Sequence, residues 1–391
     1  MNIDDCINLE DLRKLAKKRI PKVLYDFIEG GVDDEYGLAC NEDAFCRHAL
    51  LPRYMVDISS LDQSTEIFGR TYSSAYGIAP TGGIGNFRHG GDMMLARAAR
   101  NANIPFIMSG AATASMEEMV KVAPEHGWYQ IYTARDRAIA EDQVKRAADL
   151  GIPALVVTVD VPVSSNRERN RRNGVGRPLR LSLGARLDAL RRPFWLKDYI
   201  AHGIVMLPNW QPYAHEGASA DEISELFSRQ LPNSLSWKDI QSYRELWPRT
   251  LVLKGVMHTD DAIRAAEIGV DGLIISNHGA RQLDRAASSL DVLPRIDQAV
   301  GERMTLMLDG GVRRGADVVI ARALGAKFVF LGRPTLYGAI AGGDGGAAKA
   351  VRILRDEIDK VMSQIGCPVL SQVAPDILHQ DADPLHRNAP T

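Results

Sequence analysis

Residues 276–284, "SNHGARQLD", combine a histidine, an arginine, an aspartate and two amides directly after the apolar run "DGLIIS". A single histidine would indicate little, because most histidines in a chain of this size are ordinary core or surface residues. The neighbours make His278 different, since so many polar groups at the end of a buried strand need partners. This stretch is the first candidate for chemistry.

Two further motifs place glycines beside arginines. "DGGVRRG" begins at Asp309, and "GRP" begins at Gly332. Glycines let backbone N–H groups approach an anion, and arginines pair with it, so the two motifs predict a phosphate site. The phosphate could belong to a substrate or to a cofactor.

A third set of polar residues lies in or just after apolar runs and comprises Ser109, Gln130, Thr158, Lys254 and Ser276. An amide, three hydroxyls and a cation suit a large heteroaromatic ring with several hydrogen-bonding edges, and a flavin fits better than a sugar. Lys254 is costly in an apolar strand unless it meets a negative charge. A reduced flavin, charged near N1 and the C2 oxygen, is one such partner; a core carboxylate is the alternative.

Eight short apolar runs position these groups. They are "YGIAP" (76–80), "PFIMSG" (105–110), "WYQIY" (128–132), "ALVVTVD" (154–160), "LVLKGV" (251–256), "GLIISN" (272–277), "TLMLDGG" (305–311) and "FVFLGR" (328–333). Stretches of helical periodicity, such as "DDAIRAAEIG", separate most of them. This alternation, with strands apolar on both faces, predicts a (β/α)8 TIM barrel of the α/β class. An open doubly wound sheet is the alternative, but "PTGGIG" matches its glycine fingerprint only loosely.

A barrel carries its chemistry at the carboxyl ends of the strands. In this chain all eight runs end in polar residues or glycine–arginine pairs: Thr81, Ser109, Gln130, Tyr132, Thr158, Asp160, Lys254, Ser276, His278, Arg281, Asp309, Arg313, Gly332 and Arg333. Any one of them could be a capping or solvated residue. Eight polar strand ends together predict a single site.

The whole chain, 1–391, is predicted to be one domain. A helical region (1–60) precedes the barrel and its C-terminal helix (61–366), and a polar tail (367–391) follows. The connection between the fourth and fifth strands, 161–250, is far longer than an ordinary loop, so we expect it to be functional or disordered.

Composition excludes several classes of protein. The 391 residues are 45% hydrophobic and carry a formal net charge of −2, so no basic field indicates nucleic-acid binding. The four cysteines form no CxxC pair, which favours a reducing cytoplasm. The charged start lacks the features of a signal peptide, and no apolar run is long enough to span a bilayer.

Six stretches together resemble one family. "LYDFIEGGVDDE", "APT", "TVDVP", "LVLKG", "SNHGARQLD" and "LDGGVRRG" are similar to FMN-dependent 2-hydroxy acid dehydrogenases and oxidases, in the right order over nearly the whole chain. The resemblance implies an FMN cofactor, oxidation of an (S)-2-hydroxy acid to the 2-oxo acid, and a homotetramer. It does not decide whether electrons leave as a hydride or after removal of the α-proton.

The resemblance also implies a role for each matching residue. His278 would be the catalytic base, and Asp160 would orient it and stabilise its protonated form. The substrate would be held by Tyr25, Tyr132, Arg167 and Arg281, with the arginines on its carboxylate and Tyr132 on its hydroxyl. The flavin ring would contact Ala79, Pro80, Thr81, Ser109, Gln130, Thr158, Lys254 and Ser276. The ribityl chain and phosphate would contact Asp309, Gly310, Gly311, Arg313, Gly332 and Arg333.

Two alanines bear on the substrate and on the electron acceptor. Ala111 replaces a bulky aromatic of the glycolate-oxidising members, which favours an aromatic 2-hydroxy acid such as (S)-mandelate. Stretches such as "FWLKDYIAHG" are also most similar to the mandelate-oxidising branch. That branch implies a quinone-like acceptor. Ala79 is instead typical of members that reduce oxygen to hydrogen peroxide, so an oxidase remains an alternative, as does an L-lactate dehydrogenase.

The long connection mixes bulky apolar residues with Arg177, Arg180, Arg186, Arg191, Arg192 and Lys197. This mixture and the resemblance favour peripheral contact through 177–210 with the inner face of the cell membrane. An active-site lid or a subunit contact is the alternative.

Two other classes of protein would lack the flavin: a barrel aldolase or isomerase using Lys254 as a Schiff base, and a membrane-bound scaffold. Neither explains the arginines or the polar strand ends.

Overall fold

A closed barrel of eight parallel strands forms the centre of the computed structural model, which describes residues 2–174, 182–231 and 235–379. Its strands are β3 Tyr76–Ile78, β4 Phe106–Met108, β5 Gly127–Tyr132, β6 Ala154–Thr158, β7 Thr250–Lys254, β8 Gly272–Ile275, β9 Thr305–Asp309 and β10 Phe328–Leu331. Each strand pairs with the next in sequence, and β10 pairs with β3 to close the ring. The predicted TIM barrel is confirmed.

The strands are apolar on both faces because both faces are covered. Every residue of β3, β4, β8 and β10 is buried, as expected for a parallel sheet with side chains inside and helices outside. A hairpin of β1 Thr65–Ile67 and β2 Arg70–Tyr72 covers the amino-terminal end of the barrel. Phe68 in its turn lies 5.8 Å from Trp128 of β5, measured between ring centroids.

The outer helices match the helical stretches of the sequence closely. They are α4 Gly91–Asn101, α5 Met116–Val122, α6 Arg137–Asp149, α11 Trp237–Leu246, α12 Thr259–Ile268, α13 Ser289–Val300 and α14 Gly315–Ala323. The C-terminal helix expected at the end of 61–366 is the second half of a longer element, α15 Arg333–Gln364. That element starts directly after β10 and kinks at Gly343, where φ is 60° and ψ is −139°.

The N-terminal region folds into three helices, α1 Leu9–Arg19, α2 Lys22–Glu29 and α3 Tyr36–Cys46. The first, α1, packs on α15. The connection from β6 to β7 is also largely helical where it is described, with α7 Glu168–Arg172, α8 Leu183–Leu190, α9 Pro193–His202 and α10 Ala220–Gln230 preceding α11. Arg177 and Arg180 lie outside the described residues.

Candidate active site

The chain leaves β8 in a left-handed turn. His278, Gly279 and Ala280 have φ values of 58°, 62° and 59°, a region that costs a residue with a side chain about 1–2 kcal/mol. Local hydrogen bonds hold the turn: the His278 N–H donates to Ser276 Oγ over 3.0 Å, and the Ala280 N–H donates to Asn277 Oδ1 over 3.1 Å. Such strain is typical of functional sites, where a side chain must point in one direction.

The turn places the His278 ring beside the end of β6. His278 Nδ1 lies 2.8 Å from Asp160 Oδ1, so Nδ1 carries the proton and Nε2 is left as the acceptor. Burial lowers the pKa of His278 although Asp160 opposes the shift. Burial alone would raise the pKa of Asp160, but its interaction and hydrogen bond with His278 and the charge of Lys254 lower it overall. The pair is therefore a neutral base oriented by a carboxylate.

Two partly buried arginines lie next to this pair. Arg281 Nη1 donates to the carbonyl oxygens of Phe27 (2.9 Å) and Gly30 (2.8 Å) at the end of α2. Arg167 Nη2 donates to Gln282 Oε1 over 3.2 Å. Burial lowers the pKa of both guanidinium groups, and repulsion between them adds to the shift of Arg281. Within the described part of the chain neither forms an ion pair with a carboxylate, so the site has two cations for a bound anion.

The two predicted substrate tyrosines differ in placement. Tyr132, at the end of β5, is close enough to Asp160, Arg167 and Arg281 to sense their charges, and burial raises its pKa, so the phenol keeps its proton. Tyr25 is buried on α2, the helix whose end accepts hydrogen bonds from Arg281. Burial raises its pKa to about 12. Tyr132 therefore belongs to the cluster around His278, whereas Tyr25 is linked to it through α2.

Lys254 is the last residue of β7, at the carboxyl end of the strand, and its ammonium group pairs with the carboxylate of Asp309. Its Nζ is 3.1 Å from Asp309 Oδ2 and donates to Ser276 Oγ over 2.9 Å, and Ser276 is also hydrogen-bonded to Asp309. Burial works to lower the pKa of Lys254, but Asp309 and Asp160 raise it overall. The structure thus shows a core carboxylate beside Lys254, whose ammonium ion stays charged at the barrel mouth. Contact of Lys254 with the flavin ring stays a prediction.

The residues predicted to bind the flavin ring have polar atoms free to bond it. Three of their buried polar atoms have no hydrogen-bond partner among the described residues: Thr81 Oγ1, Gln130 Nε2 and Thr158 Oγ1. They lie at the ends of β3, β5 and β6, around the same mouth as Lys254. The amide oxygen of Gln130 is already used, because it accepts from Ser109 Oγ and the Gly110 N–H at 3.2 Å. Unpaired donors of this kind match the polar edge of a flavin ring.

The predicted phosphate end lies where β9 and β10 finish side by side, since Asp309 pairs with Phe330. Gly310 and Gly311 have φ values of 97° and 83°, and a Cβ on Gly311 would lie 2.1 Å from the Asn41 carbonyl oxygen. Gly332 precedes the first turn of α15, whose free N–H groups attract anions.

The two arginines at this end contact the protein itself. Arg333 donates to the Ile28 carbonyl oxygen, and Arg313 pairs with Glu42 at 2.8 Å. Ala79 and Pro80 follow β3 at the same mouth.

Three polar residues of "SNHGARQLD" had no predicted role. Asn277 exchanges two hydrogen bonds with Asn41 of α3, and Asp284 Oδ1 accepts the Gly37 N–H at the start of the same helix. Gln282 contacts Asp160 and Arg167. Their partners are distant in sequence, so only the polar character of the stretch signalled them.

Comparison with known proteins agrees with this geometry. A family model described as FMN-dependent dehydrogenase matches residues 16–380. The chain is 39% identical over 374 residues to (S)-mandelate dehydrogenase of Pseudomonas putida, covering 96% of this chain and 94% of that protein. It is 36% identical to an L-lactate dehydrogenase of Caulobacter sp. (strain K31), covering 94% of this chain and 97% of the relative. A peroxisomal (S)-2-hydroxyacid oxidase of Arabidopsis thaliana is 34% identical, and the match covers 98% of this chain and 99% of the oxidase.

Solved structures give the same result. The crystal structure of the monotopic membrane protein (S)-mandelate dehydrogenase superimposes with a TM-score of 0.93 at 39% identity, covering 96% of this chain and 100% of the other. A mandelate oxidase with (S)-2-phenylpropionate superimposes with a TM-score of 0.80 at 30% identity, covering 96% and 98%. The resemblance seen in the sequence is confirmed, and the individual site residues remain predictions. The chain is an oxidoreductase of the FMN-dependent dehydrogenase family, with FMN as its cofactor.

Proposed function

We propose that the protein oxidises an (S)-2-hydroxy acid with an aromatic side chain, such as (S)-mandelate, to the 2-oxo acid and passes the electrons to a quinone-like acceptor. The observation that carries this proposal is the His278–Asp160 pair beside two arginines without a carboxylate partner in the described chain. A base next to an anion site is what removal of a proton from a carboxylate substrate requires.

Each residue has a distinct task in this reaction. Arg167 and Arg281 bind the substrate carboxylate, and the Tyr132 phenol hydrogen-bonds the hydroxyl group. His278 Nε2 accepts a proton from the substrate, and Asp160 stabilises the imidazolium that forms. FMN, when bound, supplies the acceptor for the two electrons that leave the α-carbon. His278 and Arg281 are partly buried, and this limited contact with water strengthens these charge interactions.

Ala111 supports an aromatic substrate. It follows β4, where its N–H donates to Ser109 Oγ over 3.1 Å, and its methyl side chain is much smaller than the aromatic ring of the glycolate-oxidising members. Trp210 fixes the same turn by donating its indole N–H to the Gly110 carbonyl oxygen at 2.8 Å. Replacing Ala111 by Tyr should raise KM for (S)-mandelate much more than KM for glycolate. Equal effects on both substrates would count against this role.

The decisive experiment follows the flavin spectrum of the purified protein. Anaerobic (S)-mandelate should bleach the flavin band, and the band should stay bleached in air until a quinone is added. Bleaching with lactate or glycolate but not with (S)-mandelate would retain the chemistry and overturn the aromatic substrate. A colourless protein unable to take up FMN would contradict the proposal altogether.

A second candidate is an oxidase that produces hydrogen peroxide, because Ala79 occupies a position associated with reaction with oxygen. Its backbone N–H donates to the Leu331 carbonyl oxygen at 2.9 Å, and its side chain is buried at the mouth. Rapid return of the flavin band in air, with one peroxide per 2-oxo acid, would favour the oxidase. In that case Ala79→Gly should slow reoxidation by air and leave anaerobic bleaching unchanged.

We also propose that α8 and α9 lie on the surface of a membrane. Neither helix buries a residue, and together they expose Leu183, Leu187, Leu190, Phe194, Tyr199 and Ile200. Arg186, Arg191 and Lys197 lie among them, a pattern that suits an anionic lipid surface. Trp195 fixes α9 to the barrel by donating its indole N–H to the Asn86 carbonyl oxygen at 2.8 Å. No helix in the described ranges is long and apolar enough to cross a bilayer.

Sedimentation with lipid vesicles tests this surface. The protein should pellet with vesicles rich in phosphatidylglycerol, and a variant with Leu187→Glu and Ile200→Glu should not. Ile7→Glu, at an exposed apolar position outside α8 and α9, is the control. Pelleting of all three proteins alike would contradict the assignment.

The family resemblance also implies a homotetramer. Light scattering of the vesicle-free protein tests this oligomeric state.

A further inference from the structure

Gln282 hydrogen-bonds both Asp160, which orients the base His278, and Arg167, which with Arg281 forms the proposed carboxylate clamp. Its Nε2 donates to the main-chain oxygen of Asp160 over 3.0 Å, and its Oε1 accepts from Arg167 Nη2 at 3.2 Å. An arginine can only donate, and a main-chain carbonyl can only accept. The orientation of the amide is therefore fixed, because a flipped amide would lose both hydrogen bonds.

The two contacts join parts of the chain that no regular hydrogen-bond ladder connects. Asp160 follows β6, Arg167 precedes α7, and Gln282 follows the left-handed turn after β8. Arg167 has one further contact to the same stretch, from its Nε to the Arg281 carbonyl oxygen at 3.3 Å. Without Gln282, the position of the Arg167 guanidinium relative to the His278–Asp160 pair would depend on this long contact and on backbone stiffness alone.

We infer that Gln282 is a positioning residue that sets the distance between the carboxylate clamp and the base. A 2-hydroxy acid presents its carboxylate and its α-carbon to these two groups at a fixed separation, so the enzyme must hold them at the matching separation. The inference rests on the proposed function, because it needs Arg167 and His278 to act on one substrate. In this role Gln282 acts through Arg167 and Asp160, the two residues that it hydrogen-bonds.

Two substitutions separate positioning from simple support of the fold. Gln282→Leu removes both hydrogen bonds at similar volume. Gln282→Glu keeps the shape and the contact with Arg167, but it adds a carboxylate that competes with the substrate and opposes the Asp160 carbonyl oxygen. We expect Gln282→Leu to raise KM about tenfold and Gln282→Glu to raise it by more, up to about a hundredfold. The surface substitution Gln241→Leu is the control.

Binding of benzoylformate, the 2-oxo acid product, gives a readout without turnover. Its dissociation constant, measured from the shift of the flavin spectrum in each holoenzyme, should rise in the order wild type, Gln282→Leu, Gln282→Glu. The preference of the enzyme for (S)-mandelate over its methyl ester should fall in the same order, because the ester carries no charge for Arg167.

The outcomes separate the two hypotheses. If wild type bleaches with (S)-mandelate but both variants bind benzoylformate as wild type does, the role of Gln282 is wrong and the proposed function stands. If both variants lose FMN and stability together, with KM unchanged in the flavin-bound fraction, Gln282 is only structural. If wild type reduces no FMN with any 2-hydroxy acid, the proposed function itself fails.

Discussion

His278 is held in a left-handed backbone conformation and hydrogen-bonded to Asp160, so the direction of its ring and the nitrogen that faces Asp160 are set before substrate binds. Burial lowers its pKa, and Asp160 limits the shift. A base acts only when neutral, so activity should be present above the pKa of His278 and lost as the pH falls through it. The acid limb of kcat/KM in wild type should therefore lie below about pH 6.5, the ordinary value for histidine.

Asp160→Asn should lower kcat by about 10²- to 10⁴-fold, because the imidazolium formed in the reaction loses its partner. The same change removes the group that raises the pKa of His278, so the acid limb should move to lower pH. The pH profile of anaerobic flavin reduction measures both effects. A limb that moves to higher pH would contradict the assigned charge interaction.

His278→Ala should abolish flavin reduction by (S)-mandelate while FMN stays bound. The imidazole contributes the base, whereas the unpaired donors for the ring come from β3, β5 and β6. Absorbance during anaerobic mixing reports reduction, and the ratio of flavin to protein reports binding. His215→Ala, an exposed histidine in the long connection, should behave as wild type. Normal reduction by His278→Ala would remove this residue from the mechanism.

Lys254 and Asp309 form a buried ion pair, and breaking such a pair leaves one charge uncompensated. Lys254→Met should lower the free energy of unfolding by about 3–5 kcal/mol. Adding Asp309→Asn to Lys254→Met should recover part of this loss, because the unpaired carboxylate disappears. Urea denaturation measures the differences, with the exposed Lys238→Met as control. A double variant less stable than Lys254→Met would show that Asp309 has another essential partner.

At the scale of elements, α3 and the stretch after β8 stabilise each other. Asn41 exchanges hydrogen bonds of 2.9 and 2.7 Å with Asn277, and Gly311 can approach the Asn41 carbonyl oxygen only because it lacks a Cβ. Helices α2 and α3 thus support the site, since α3 holds the His278 turn and the end of α2 accepts hydrogen bonds from Arg281 and Arg333.

Asn41→Ala should lower the free energy of unfolding by about 1–3 kcal/mol, because two buried hydrogen bonds are lost and the Asn277 amide keeps fewer partners. It should also weaken FMN binding, since Gly311 packs against the same residue. Denaturation and flavin content measure the two effects, and the exposed Asp43→Ala on α3 is the control. Unchanged flavin binding would separate α3 from the phosphate end of the site.

At the scale of the whole molecule, FMN should act as part of the folded structure. Its ring would satisfy polar atoms that the described chain leaves unpaired, and its phosphate would meet the ends of β9 and β10. Removing FMN should therefore lower Tm. Adding FMN at 100 times its Kd should raise the free energy of unfolding of the apoprotein by about 2.7 kcal/mol. Riboflavin, which lacks the phosphate, should restore much less at equal concentration. Equal protection by the two ligands would argue against the phosphate site.

The role of His278 as the base stays a prediction implied by the family resemblance. The barrel and the flavin class of the cofactor are what the sequence alone determined. These follow from local patterns, because apolar periodicity defines strands and helices and because a dense polar motif at a strand end is informative by itself. For Lys254 the sequence predicted the kind of partner but not its identity. Its charge in an apolar strand predicted a negative partner, but Asp309, which follows two strands later, could be identified only in three dimensions.

Tertiary structure decided the remaining features because they depend on pairs that are distant in the chain. Asn277 and Asn41 meet across the gap between β8 and α3, and Gln282 meets Asp160 and Arg167 across the barrel mouth. The long connection was predicted to be functional or disordered, yet its described part forms helices, two of which bury nothing. Periodicity indicates that a helix has an apolar face, whereas only the folded chain shows whether anything covers that face.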